Sequence, residues 1–371
     1  MTTATYETRY RRQQRLIRTR ASAVWAAVLT AVVLYLPWVV FHHSLLGAHL
    51  TKHMLLNMNM TQLNVMLIVL VGAVGLNLLT GYTGLISIGN AGFFALGAIV
   101  AATLGGTHPG WPDVPFPVVV LAAGAAGAAA GAVVGLPSLR IRGIYLLLAT
   151  LSLHFLMVWL FLKFQTTYFG FGGIQFLKPA SLFGYALNTD IRWYYFLLGC
   201  AAVALLLTKN LLRTRQGRAF VAVRDHPIAA SMAGINVPRI RVTSFAVSSF
   251  MITAMGAVYA WYLGAASQDN YTLLLAIQFI AIIVIGGEGS LVGTVLGALL
   301  WQLIPNALLA FSEMASGISP GIRHTVATWQ TQIANIIFGV LILLVIVFSP
   351  SGLAGLWAKV KRTFVNWPYT G

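Results

Sequence analysis

The chain has 371 residues, of which 58% are hydrophobic and only 8% charged, with a net charge of +16. An ordinary soluble domain carries about 25% charged residues, so a soluble globular protein is excluded. Several apolar runs of roughly 20 residues, each long enough to cross a hydrocarbon core of about 30 Å, point to a polytopic helical membrane protein.

The ten-residue alternating segments of an outer-membrane barrel are absent. The basic residues lie between and beyond the apolar runs, where they set topology and attract anionic lipid, so nucleic acid is not the partner they imply. The one cysteine, Cys200, sits inside an apolar run and leaves no intrachain disulfide.

In chain order, residues 1–20 form a basic tail with six arginines, expected to be cytoplasmic. Span 1 covers about 21–41, lacks a small-x-small cleavage site, and reads as a retained anchor. A turn with His42, His43, His49 and His53 follows; no Cys or carboxylate joins them, so it reads as an interfacial loop and not as a metal site. Span 2, about 54–79, holds Asn57, Asn59, Gln62, Asn64 and Asn77. Amides are costly in hydrocarbon and should face the bundle or a wet cavity.

Next comes GYTGLISIGNAGFFALGAIVAATL, residues 81–104. Gly81, Gly84 and Gly89 make a flexible lead-in, and Ala91, Ala95, Ala98 and Ala102 form a small-residue stripe at helical spacing. Span 4, about 116–138, has Gly127, Gly131 and Gly135 at every fourth position, a close-packing face for another helix. Span 5 covers about 144–163, and a polar, aromatic, Gly-rich external segment runs over about 164–190. Spans 6 to 10 follow at about 191–208, 242–263, 271–286, 291–311 and 329–348.

The longest polar break, 209–241, carries seven basic residues and one acid, Asp225. Within it the spacing predicts a short helix from His226 to Ala233. Asp225 is placed to cap it, Pro227 falls in its first turn, and Gly234 stops it. About two turns cannot hold themselves together in water, so this helix is expected to dock on a partner. Residues 283–304 faintly repeat 81–104, with a glycine turn leading into a helix with Gly289, Gly293 and Gly297.

Ten spans place both termini on one side, together with the 140–142 loop and the polar break; this side holds 18 of the 23 Lys and Arg. The positive-inside rule makes it cytoplasmic. The domains are therefore a 1–20 tail, a 21–349 membrane domain with the 209–241 loop, and a cytoplasmic 350–371 tail.

No G-x-x-x-x-G-K-[ST] loop, HExxH or nucleophile elbow is present, so the chain neither binds ATP in that way nor carries a familiar catalytic motif. The seven acids all fall in tails, loops or helix ends, where a proton- or sodium-coupled carrier usually needs one near the midplane. His154, in mid-span 5, is the titratable exception and reads first as a packing histidine. The chain is built like a transporter and lacks an engine.

GYTGLISIGNAGFFALGAIVAATL, RIRGIYLLLATLSL (140–153), the 213–264 segment, LLLAIQFIAIIVIGGEGSLVGTVLGALL (273–300) and FSPSGLAGLW (348–357) together resemble the permease subunits of branched-chain amino acid ABC importers. Urea and short-chain amide importers share these patterns. The resemblance implies an all-α polytopic protein of about ten transmembrane helices in a type II-like importer fold. It implies a second homologous permease, two cytoplasmic ATPases that bind the ATP and Mg, and an extracytoplasmic binding protein, in a bacterial inner membrane. The chain itself would need no cofactor and would not be an enzyme.

Carried over by the resemblance, Gly217, Arg218, Ala222, Arg224, Asp225, His226, Pro227, Ala230, Met232 and Gly234 would form the segment that couples to the ATPases. Asn77, Ser87, Asn90, Phe93 and Gln278 are candidates for the translocation path, with Gln302 and Asn335 behind them; interhelical hydrogen bonding is the competing role for each polar one. Two departures, Asn90 where the family often has His or Gln and YFGFGGIQ (168–175) in the external segment, bear on substrate identity. The reading from another class is a gradient-driven carrier or channel that works without ATPases.

Overall fold

The computed structural model describes residues 59–107, 114–141, 143–170, 174–182, 184–315, 320–348 and 351–357, with Tyr35 and the short strands β1 (Ser44–Leu45) and β2 (Ala48–His49). Span 1 apart from Tyr35, the 1–20 tail, residues 358–371, and His42, His43 and His53 lie outside these residues. Among the described residues no cluster of His, Cys, Asp or Glu is arranged to hold a metal.

The helices are α1 (Met60–Asn77), α2 (Asn90–Gly105), α3 (Phe116–Gly135), α4 (Ile144–Phe169), α5 (Asp190–Arg213), α6 (Arg215–Asp225), α7 (Pro227–Met232), α8 (Val237–Leu263), α9 (Leu273–Gly286), α10 (Leu291–Ala315) and α11 (Pro320–Phe348). Among the described residues, eight segments are long and apolar enough to cross a membrane, and Asn90–Gly105 is a shorter apolar helix. The polytopic all-α reading therefore stands. Several helices overrun their expected spans: α4 continues to Phe169, and α5 carries on through the start of the polar break to Arg213. Among the described residues, strand content is limited to two-residue pairs, among them β3 (Gln175–Phe176) against β6 (Ala265–Ala266) and β4 (Ser181–Leu182) against β5 (Tyr185–Ala186).

At the centre stands α1, buried almost throughout. This answers the question its amides raised. Gln62 accepts from Asn59 N–H at 3.0 Å and closes the first turn. Asn64 donates to the Asp190 carbonyl at 3.0 Å and to Tyr262 Oη at 3.4 Å, tying one end of α1 to α5 and α8.

The glycine face of α3 packs on α8, as the every-fourth spacing required. A side chain at Gly127 or Gly131 would run into Thr253 and Ser249 of α8, and one at Gly124 into Phe250. Helix α8 meets α2 through Gly97 and Gly256, whose missing side chains let the two backbones touch. Such close approach is how helices gain dispersion energy where lipid removes the hydrophobic drive. Outward, Phe155 and Trp159 of α4, Leu207 of α5 and Val347 of α11 stay exposed, forming apolar faces suited to lipid.

Candidate functional site: the basic segment and two glycine turns

Helix α1 does not end cleanly. It widens into a π turn over Leu78–Tyr82, and the chain then runs without helix through Gly84–Gly89 before α2 begins at Asn90. The expected glycine lead-in is thus a real break, and the small-residue helix follows it at Asn90–Gly105. Gly84 has φ +72°, open to glycine at no steric cost. The second turn, Gly287–Ser290, joins α9 to α10, with φ +112° at Gly287 and +72° at Gly289.

The two turns, paired by a faint repeat in the sequence, lie against each other. Asn77 joins them: its Oδ1 accepts from Gly289 N–H at 2.9 Å, and its Nδ2 donates to Thr294 Oγ1 at 2.8 Å and to the Ser290 carbonyl at 3.2 Å. A side chain at Gly81 would strike both Asn77 Oδ1 and Gly289 N. The C-terminal stretch 351–357 packs on the same place, since a side chain at Gly352 would meet Gly287 and one at Gly287 would meet the Ser351 carbonyl.

The basic segment closes this end of the bundle. It holds two helices where the sequence showed one. Thr214 caps α6, accepting from Gly217 N–H at 3.3 Å, and Gly217 is buried against the backbone of Leu211 and Leu212. The Thr-Arg-Gln-Gly start was the signal that could have found this helix. Phe220 and Val223 are buried beneath it.

Helix α7 spans Pro227–Met232, shorter than expected, and the capping residue is His226, with no side-chain cap bond. Asp225 instead ends α6 and pairs with Arg224 Nε at 3.0 Å. It is corrected as the cap because α6 has already taken it into its last turn. Pro227 sits in the first turn as expected. The stop at Gly234 also holds: φ is +81°, Gly234 N–H donates to the Ser231 carbonyl and Ile235 N–H to the Ala230 carbonyl, both at 3.0 Å.

The segment has an inner and an outer face. Ala230 is buried, Ala222 half-buried, and its carbonyl accepts from His226 N–H at 3.1 Å. Arg224 Nη1 turns inward and donates to the Gly81 carbonyl at 2.7 Å. Outward point Ile228, 70% exposed, and Met232, 85% exposed; Arg218 on α6 is exposed as well, and its Nη1 donates to the Arg213 carbonyl at 3.0 Å. Next to them a groove lined by Leu139, Ile228, Ser231, Val237 and Arg241 opens at the start of α8. Arg241 is buried and donates to the Ser138 carbonyl at 2.9 Å, fixing the 137–139 turn to α8. So the 137–141 turn, the basic segment, both glycine turns and 351–357 gather at one end.

Of the path candidates, Asn77 uses its amide at the turn junction. Ser87 is buried and accepts from Gly89 N–H at 3.3 Å. Asn90 donates to the Ala276 carbonyl of α9 at 3.3 Å, while its buried Oδ1 has no partner. Phe93, three residues further on, is buried; Gln278, on α9, is half-buried, as is Asn335, and Gln302 is buried. His154 is buried on α4, and its backbone packs against Gly92 of α2.

A family model described as the permease component of branched-chain amino acid transport systems matches residues 58–346. The high-affinity branched-chain amino acid permease LivM of Salmonella typhimurium is 28% identical over 72% of this chain and 67% of its own length. The autoinducer 2 import permease LsrC of an Enterobacter species is 31% identical over 62% of the chain and 63% of its own length. The galactose/methyl galactoside import permease MglC of Haemophilus influenzae is 27% identical over 66% and 76%. No solved structure matches the chain. With the match covering most of the chain, and the helical membrane bundle to go with it, the protein belongs to this permease family of branched-chain amino acid transport systems and is a multi-pass subunit of the cytoplasmic membrane.

Proposed function

We propose that the chain is one membrane half of an ATP-driven importer that carries branched-chain amino acids into the cytoplasm. It would work with a second homologous permease, two ATPases that supply ATP and Mg chemistry, and an extracytoplasmic binding protein. The observation that carries the reading is the outer face of α7: Ile228 and Met232 stand exposed on a helix of six residues, held from behind by buried Ala230. Exposed apolar side chains on a short, well-anchored helix are suited to a protein socket. The gathering of basic loops at the same end supports a cytoplasmic position for that face under the positive-inside rule. Asn90, with a buried oxygen lacking a partner at the start of α2, leads the path candidates; Ser87, Phe93 and Gln278 follow.

The test is to purify the tagged chain gently from its own organism and identify what accompanies it, then to measure uptake of labelled leucine. Two ATP-binding subunits and ATP-dependent leucine uptake support the reading. Arg218→Glu or Asp225→Ala should reduce recovery of the ATPases while leaving membrane insertion unchanged. A chain that arrives alone and transports without ATP refutes it.

A second substrate reading is favoured by the matches to LsrC and MglC. Competition of leucine uptake by excess galactose or autoinducer 2 separates the two. Urea and short amides belong in the same screen.

A further inference from the structure

Arg224 belongs to the basic segment, yet its long side chain leaves the outer face and crosses to the two glycine turns. Its Nη1 donates to the Gly81 carbonyl at 2.7 Å. Gly81 lies in the π turn, where the widened helix leaves this carbonyl available to a side-chain donor. The end of a helix also carries partial negative charge, which favours a cation there.

Two glycines make room for the contact, and a third for the junction of Asn77 with Gly289. A side chain at Gly84 would meet Arg224 Cγ at 2.8 Å, one at Gly289 would meet Arg224 Nη1 at 3.1 Å, and one at Gly81 would strike Asn77 and Gly289. Asn77 completes the chain of bonds by holding Gly289, Ser290 and Thr294. The path therefore runs from α6 to Gly81 by a hydrogen bond, across the close approach of Gly81 to Asn77 and Gly289, and from Asn77 to the start of α10 by hydrogen bonds. The partners are far apart in sequence, with 143 positions between Arg224 and Gly81 and 212 between Asn77 and Gly289.

We propose that Arg224 and Asn77 are positioning residues that clamp the basic segment to both glycine turns, so that a displacement of α6 and α7 is delivered to α1 and α10 together. In this role Arg224 acts within its own chain, apart from the outer face of Ile228 and Met232. Gly81, Gly84 and Gly289 serve as the clearance that lets the clamp close, as well as providing free backbone. The consequence for transport rests on the importer reading above; the clamp itself does not.

Two measurements separate them. In the first, spin labels are placed at Ile228 and Glu288 of the full chain with Cys200 replaced by Ser, and their distance distribution is read in lipid nanodiscs. Arg224→Ala is expected to broaden it, Arg224→Lys to retain much of the native distribution, and Gly84→Ala to broaden it with the charge still present. An unchanged distribution in both Arg224→Ala and Gly84→Ala overturns the clamp. Since Gly84→Ala leaves Arg224 in place, it remains informative if Arg224→Ala does not insert.

In the second, the complete complex is reconstituted in proteoliposomes and leucine taken up per ATP hydrolysed is compared. Arg224→Ala is expected to lower this ratio about fivefold with the ATPases still attached, whereas a lost docking contact would release them. A native ratio overturns the delivery of motion through the clamp. If the wild-type chain brings no ATPase, the importer reading fails, and the label distances still judge the clamp.

Discussion

Replacing Asn77 with Ala asks whether the junction of the two turns is a structural bond or a wet surface. Asn77 is fully buried and makes three hydrogen bonds, at 2.8, 2.9 and 3.2 Å. Side-chain hydrogen bonds between membrane helices contribute about 0.6 kcal/mol on average and up to about 1.7. Three at the mean give about 2 kcal/mol, and leaving the Gly289 N–H without its acceptor adds about 1 kcal/mol. The variant should therefore lose about 2–3 kcal/mol.

Asn64→Ala, at the other end of the same helix, is the internal comparison. Its amide is equally buried but makes two bonds, one of them at 3.4 Å, and its Oδ1 already lacks a partner. Removing it should cost about 1 kcal/mol or less. Thermal unfolding in detergent, followed by tryptophan fluorescence or by loss of the monodisperse peak, should rank wild type above Asn64→Ala and Asn64→Ala above Asn77→Ala. Equal melting of the two variants, or the reverse order, would refute the assignment of Asn77 to the junction.

Gly131→Leu should destabilise the bundle by about 1–3 kcal/mol or prevent insertion, because the new side chain must displace Ser249 and the Phe245 carbonyl. Gly199→Leu, with nothing within 4 Å, should melt at or above wild type in the same assay. Gly234→Ala should cost about 1 kcal/mol locally, since φ is +81° and no neighbour contributes; faster hydrogen exchange over 226–236 than in wild type is the readout. Asn90→Ala should lower uptake several-fold with assembly intact, and unchanged uptake removes it from the path.

The basic segment shows how far local reading reaches. Gly234 was legible as a helix stop because a left-handed residue is a local requirement, met by glycine wherever the chain turns. Asp225 was misread for a related reason: capping depends on which helix owns the residue, and α6 had not been recognised in a sequence that is basic and only weakly apolar on its buried side. Phe220 and Val223 are its apolar anchors, and their spacing alone is too short a signal to separate a helix from a loop.

Membrane class, the positions of the described spans and the α3 glycine face were determined by the sequence itself. Each follows from composition and short-period spacing, which the bilayer and helix geometry impose residue by residue. The tertiary structure alone decided that the glycine face meets α8, that the amides of α1 are spent at its two ends, and that Arg224 reaches Gly81. Those contacts join residues more than a hundred positions apart, and no local pattern encodes them, because side chains with identical spacing can face lipid, a neighbour or a cavity until the bundle closes around them.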